Sequence, residues 1–199
     1  MLDREEALKK VKEDVVALTD SALCVLRVEN NYFPVIGEGS HNANIMFVGE
    51  APGKNEAKTG RPFVGRAGKL LDELLASIGV PRADVYITNI VKDRPPENRD
   101  PTPDEIALYA PFLDRQIEAI KPKVIATLGR FSMQYVMNRY GLDFELDSIS
   151  IIHGQTFEAE MPWGDKVKVV PLYHPAAAIY NQHLLDTLKE DFQVLKGMV

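Results

Sequence analysis

A single cysteine in 199 residues excludes an intramolecular disulfide and points to a reducing compartment. The four histidines, His41, His153, His174 and His183, fall into no His/Cys/Asp spacing that suits a metal ion. No apolar run approaches the ~20 residues that span a bilayer. The opening MLDREEALKKVKED is charged rather than apolar, unlike a signal peptide. Together these readings predict a cytoplasmic protein with no membrane partner. Positive charge is also scarce. A formal net charge of −6 argues against tight, indiscriminate DNA binding and leaves room for a compact basic groove. Repeats and low-complexity tracts are missing. So are GxxxxGK[ST], GxGxxG after a strand and GxSxG, which removes the usual phosphate loops and the serine-hydrolase elbow.

What is present is a core sufficient for one domain, residues 1–199, with 45% hydrophobic content. The chain is organised around residues 44–75. Ile45–Val48 is a short apolar run stopping at Gly49, as a buried strand does at a turn. A loop from Glu50 to Gly68 follows, with four further glycines and two prolines. Leu70, Leu71, Leu74, Leu75 and Ile78 then recur at helical spacing over Ala67–Ile78. The loop carries Lys54, Lys58, Arg61, Arg66 and Lys69 against Glu50 and Glu56, a local surplus suited to an anionic ligand.

Elsewhere, Asp3–Leu18 reads as an amphipathic helix, and Tyr86–Val91 and Val124–Leu128 as strands. Asp104–Ile120 reads as a helix entered through Thr102-Pro103 with Glu105 completing a capping box. Phe131–Tyr140 and Asp186–Leu195 are further helices, with Ser132 a capping residue. Ile149–Phe157 and Lys166–Leu172 read as a β-ribbon and the last sheet strand. The alternation predicts a three-layer α/β/α sandwich around a short, mostly parallel four-stranded sheet. Glu50, Asn89 and His174 then all fall at carboxyl ends of strands, where such sheets bind ligands. Asn89 alone reads equally as a hydrogen-bonded structural residue or as a ligand reader.

GEAPGKNEAKTGRPFVGRAGKLL, TNIVKDRPPENRDPTPDEI, IKPKVIATLG and YHPAAAI occur in an order that resembles the uracil-DNA glycosylase superfamily, specifically family 4, across Ser21 to Lys196. The resemblance implies hydrolysis of the N-glycosidic bond of uracil in single- or double-stranded DNA, in base excision repair, by a monomer. It assigns Phe63 to stack on the extruded base, Asn89 to read its edge and His174 to face O2 of the leaving anion. Ala51, Pro52 and Gly53 offer backbone N–H groups to the base. Some families carry Asp or Asn where this chain has Ala51, so Glu50 and Glu56 are the carboxylates left nearby. Glu56 is also a candidate to face uracil C5 and disfavour thymine's methyl group. Lys54, Lys58, Arg61, Arg66, Lys92 and Arg94 are the implied DNA contacts.

Family 4 normally carries an iron–sulfur cluster on four cysteines, beginning with a Cys-x-x-Cys pair. This chain has Ser21 and Cys24 at that pair, and Asp93 and Tyr109 near the other two positions. One thiol cannot hold a [4Fe–4S] cluster, so the expectation is no cofactor and no metal, with Tyr109 filling the space and reaching Asp93 or Ser21. Two other readings remain open: an inactive or altered-specificity DNA-binding relative, and an enzyme acting on a free nucleotide.

Overall fold

The computed structural model describes residues 3–198. In chain order its helices are α1 (Arg4–Ala17), α2 (Ala22–Glu29), α3 (Lys54–Thr59), α4 (Arg66–Ser77), α5 (Pro103–Ile120), α6 (Arg130–Arg139), α7 (Ile149–Ile152), α8 (Pro175–Ala178) and α9 (Gln182–Gln193). The strands are β1 (Glu38–Gly39), β2 (Ile45–Gly49), β3 (Tyr86–Asn89), β4 (Val124–Leu128), β5 (Phe157–Glu160) and β6 (Lys166–Leu172). They form one sheet in the order β1-β3-β2-β4-β6-β5. The four central strands are parallel, and β1 and β5 close the two edges antiparallel. Among the described residues, no helix is long and apolar enough to cross a membrane.

Strand β2 shows why three layers form. Every residue in it is buried, and successive side chains point to opposite faces. Met46 and Val48 pack with Leu113 and Ile117 of α5 and Met133 and Val136 of α6. Ile45 and Phe47 pack with Leu71 and Leu74 of α4 and Leu188 and Phe192 of α9. Phe47 and Phe192 lie nearly parallel, with ring centroids 5.8 Å apart. A strand covered on both faces is the ordinary condition of a parallel sheet between helices.

The predicted architecture holds, with six strands instead of four. The two extra strands escape sequence reading because β1 has only two residues and β5 lacks a continuous apolar face. Two local expectations fail. The stretch Ile149–Phe157 is not a ribbon: Ile149–Ile152 is a helical turn, ended before Gly154 at φ +69°, and strand begins only at Phe157. Its β-branched residues favour strand, but it has no neighbouring strand and buries only Ile152. The loop after β2 is also less irregular than predicted, because Lys54–Thr59 is helical between Gly53 and Gly60. That helix buries only Ala57, so it leaves no apolar periodicity to read. The capping box of α5 is present as predicted, with Thr102 and Glu105 each accepting from the other's backbone N–H.

Candidate active site

Parallel pairing of β2 with β3 sets Gly49 directly beside Asn89. The chain after β2 supplies Glu50, Ala51 and Gly53, the chain after β6 supplies His174, and all open onto one cleft of about 370 Å³. Phe63, Glu56 and Asn89 also line it. A volume of this size suits a small planar ligand. A larger hollow of about 660 Å³ runs beside α1, lined by Arg4, His41 and Arg115 among others. It has no strand carboxyl end and no Phe, Tyr or Trp in its wall.

Asn89 is only 2% exposed, and its side-chain amide makes no hydrogen bond among the described residues. Its polar atoms are not among the fully buried atoms without a partner, so they open to the cleft, where water or a ligand can complete them. This favours the reader of the two readings open in the sequence. Gly49 is required here by space: a Cβ on it would lie 2.3 Å from Asn89 Oδ1 and 2.9 Å from Phe63 Cζ.

Phe63 is buried and held at φ +50°, a left-handed conformation unusual for an aromatic residue. Two contacts impose it. Gly68 of α4 lies so close that a Cβ there would be 1.8 Å from the Phe63 carbonyl oxygen. Glu56 Oε1 accepts from Val64 N–H at 3.0 Å and Gly65 N–H at 2.9 Å, pinning the turn that follows. The Phe63 ring faces His174, with centroids 5.6 Å apart and planes 29° from parallel. Glu56 thus lines the cleft and also builds the loop that presents its aromatic wall.

His174 caps α8: its Nδ1 accepts from Ala176 N–H at 3.1 Å. Nδ1 therefore carries no proton, and Nε2–H is the free donor of a neutral ring. Desolvation pushes the His174 pKa down to about 4, against a weaker opposing pull from Glu56. The ring stays neutral across the physiological range. Glu50 shifts the other way. Desolvation, aided by the Asp100 carboxylate and opposed by Arg130, raises its pKa to about 7. Asp100 is paired with Arg130 at 2.7 Å, and Asp100 and Asn98 both border the cleft. Sequence reading missed Asn98, Asp100 and Arg130. Two consecutive left-handed residues, Glu97 and Asn98 at φ +56°, turn this loop toward the cleft, and only the PENRD composition hints at that.

The cations sort into three groups. Lys54, Lys58 and Arg66 are exposed on α3 and α4, the helices that flank the cleft. Arg66 also lies over the ring of Tyr180, 4.7 Å from its centroid, and Tyr180 is 83% exposed. Arg61 is matched by Glu38, with bonds of 2.5 and 2.9 Å, and Arg94 is half-buried and bonded to Asn98 at 2.7 Å. Lys92 is a correction. It is completely buried and cannot touch DNA. Ala51 and Gly53 border the cleft, and Pro52 is buried between them. Ser132 does not cap α6; its hydroxyl donates back to the Gly129 carbonyl at 3.1 Å. His41 pairs with Glu5 and His153 with Asp191, both away from the cleft.

Ser21, Cys24, Asp93 and Tyr109, the positions that the resemblance assigns to cluster ligands, lie beside a small core of Leu23, Val91 and Tyr109. The Tyr109 hydroxyl lies 2.6 Å from Asp93 Oδ2 and 3.3 Å from Ser21 Oγ. Arg27 bonds both oxygens of Asp93, at 3.1 and 2.9 Å. Cys24 Sγ lies 2.9 Å from the Ser21 carbonyl oxygen. Burial raises the Asp93 pKa, against the Tyr109 hydrogen bond and the Arg27 charge. These donors do not fit the cluster: one thiol is present, and the carboxylate is already paired with Arg27 and Tyr109.

Residues 36–196 match the family described as the uracil DNA glycosylase superfamily. The chain is 52% identical to a type-4 uracil-DNA glycosylase of Archaeoglobus fulgidus, over 84% of this chain and 81% of that protein. It is 48% identical to one from Sulfurisphaera tokodaii, over 97% and 85%. One from Thermotoga maritima is 42% identical, over 100% and 98%.

Proposed function

Because the chain belongs to the uracil DNA glycosylase superfamily, we propose that it removes uracil from DNA by hydrolysing the bond between base and deoxyribose. The observation that carries this reading is the Asn89 amide, free of protein partners and opening to the cleft beside an aromatic wall. An amide offers one acceptor and two donors, which complement N3–H and O4 of uracil; cytosine presents the reverse pattern.

The steps follow from the residues. The base leaves the stack and enters the cleft, at a cost of a few kcal/mol that is lowest for mispaired or single-stranded bases. Phe63 receives its face, worth ~1–3 kcal/mol for base–aromatic stacking. As the glycosidic bond lengthens, charge gathers on O2, and the neutral His174 donates to it through Nε2–H. A donor fixed in advance at developing charge is commonly the largest single contribution to catalysis. Glu50, with a pKa near 7, is suited to orient water and accept its proton as C1′ becomes cationic. Such assistance contributes typically about 10²–10⁴-fold. Ala51 has no side chain able to replace it. Glu56, held through Oε1 by Val64 and Gly65 and lining the cleft, crowds a methyl group on C5 in this reading.

Lys54, Lys58 and Arg66 supply the phosphate contacts, with Tyr180 the exposed aromatic beside them. The protein acts as a cytoplasmic monomer on single- or double-stranded DNA, and it does so without a metal cofactor. The polar network of Ser21, Arg27, Asp93 and Tyr109 supports that last statement, since its groups are bonded to one another and supply no thiolate. Incubation with uracil-containing single strands, followed by cleavage at the abasic product, tests the activity. No base release from uracil, with parallel binding of free nucleotides, would replace this reading with a nucleotide-binding one.

A further inference from the structure

Lys92 is a buried titratable group that none of the steps above uses. It lies three residues beyond Asn89, wholly buried. Its Nζ is 2.6 Å from the Asn89 carbonyl oxygen, 2.8 Å from Thr88 Oγ1 and 2.7 Å from Gln116 Oε1. All three partners are acceptors toward it. A backbone carbonyl can only accept. The Thr88 hydroxyl has the Ile36 carbonyl at 2.7 Å and Gln116 Oε1 at 3.2 Å as acceptors for its single proton, the shorter being the carbonyl. Gln116 turns its NH₂ to the same carbonyl at 2.8 Å and to Tyr86 Oη at 3.1 Å, so its oxygen must face Lys92. A flipped amide would set its oxygen against the Ile36 carbonyl and its NH₂ against the lysine.

An ammonium satisfies all three with its three N–H bonds, whereas a neutral amine has only two and must accept the Thr88 proton, taking it from the Ile36 carbonyl. Burial pulls the Lys92 pKa well below its ordinary value, while the three oxygens around Nζ favour its protonated form. No carboxylate bonds Nζ among the described residues. The neighbouring Asp93 is committed to Arg27 and Tyr109. An unpaired buried charge is a costly feature, and here it sits directly behind the peptide of the residue that reads the base.

We propose that Lys92 is a positioning residue of the base pocket. Its ammonium pins the Asn89 peptide, which aims the amide, and sets a fixed positive charge behind the edge where the leaving base becomes an anion. The idea rests on the glycosylase reading above. In a poorly screened interior, attraction between such charges persists over several ångströms. Its benefit scales with how much charge the leaving base must carry unaided.

That scaling supplies the test. Fluorine at C5 withdraws charge, so the 5-fluorouracil anion needs less help to leave than the uracil anion. Single-turnover release of each base from single-stranded DNA is compared for the parent, Lys92→Met and Gln116→Glu. Met keeps the volume without the charge. Gln116→Glu keeps the lysine and sets a carboxylate against it, and it decides the matter should Lys92→Met fail to fold. The expected result is a loss of tenfold or more on uracil, a loss at least threefold smaller on 5-fluorouracil, and DNA affinity unchanged. Equal losses on both bases, or none, would overturn the role of the charge while leaving the glycosylase reading intact. A parent that releases neither base would overturn both.

Discussion

Gly49 on β2 stands directly beside Asn89 on β3, and a methyl group on Gly49 would lie 2.3 Å from the Asn89 amide oxygen. The reading of the base thus depends on a missing side chain in the neighbouring strand. The parallel register turns that gap into space for the amide and for the edge of Phe63.

Gly49→Ala should therefore damage function more than folding. Overpacking of this kind costs typically ~1–3 kcal/mol, which a domain of this size survives. The displaced amide and ring cannot both keep their positions. Base release should fall at least tenfold while the variant still melts cooperatively. A rate within threefold of the parent would show that the amide does not need the position described here.

Much of this site was legible in the sequence, and the reason is specific. Glu50 and His174 each follow a buried strand and Asn89 ends one, and the α/β pattern sends all such ends to one edge. Phe63 was reachable only through the family resemblance, because its left-handed backbone is imposed by Gly68 and Glu56. Burial of Lys92 could not be foreseen. A lysine beside Asp93 and Arg94 reads as solvated, and its three acceptors come from Thr88, Asn89 and the distant Gln116. Asp100 was hidden for the same reason, since its influence on Glu50 is a fact of folding.

Asn89→Ala and His174→Ala should each slow uracil release. A hydrogen bond to a charged partner contributes roughly 1.5–3 kcal/mol, or about ten- to a hundredfold in rate. The two differ in kind. Asn89→Ala removes edge recognition, so discrimination between uracil and cytosine should weaken. His174→Ala should leave discrimination intact and lower only the rate. Single-turnover kinetics on both substrates separates them, and unchanged rates for both variants would rule the assignment out.

The pH profile should report Glu50, not His174. With Glu50 held near 7 and His174 near 4, release should rise with pH through about 7 as the carboxylate ionises. Glu50→Gln should flatten that limb. Asp100→Asn removes a negative charge that raises the Glu50 pKa, so the midpoint should move to lower pH. Stability should carry the opposite sign. A carboxylate with a raised folded pKa makes the native state bind more protons than the unfolded chain, so its contribution falls as pH rises from the ordinary carboxylate range to about 7. A midpoint that stays fixed in Asp100→Asn would assign the limb to another group.

The network where family 4 carries its cluster makes the last prediction. Tyr109 reaches Asp93 and Ser21, and Arg27 ties the same carboxylate to the carbonyls of Val15 and Val16 at the end of α1. This joins α1, α2, α5 and the chain after Asn89 without metal. Protein purified without oxygen should be colourless and free of iron. Stoichiometric iron with broad visible absorbance would overturn that. Tyr109→Ala should cost ~3–5 kcal/mol, as large-to-small aromatic changes in cores do. Tyr109→Phe should cost about 1–3 kcal/mol, because it keeps the ring and removes one proton from a buried carboxylate. At roughly 2–4 °C per kcal/mol for a chain of this length, thermal melting resolves the two. The order matters more than the size. A network held by packing alone would leave Tyr109→Phe unchanged, whereas one held by the shared carboxylate must register the loss of a single hydroxyl.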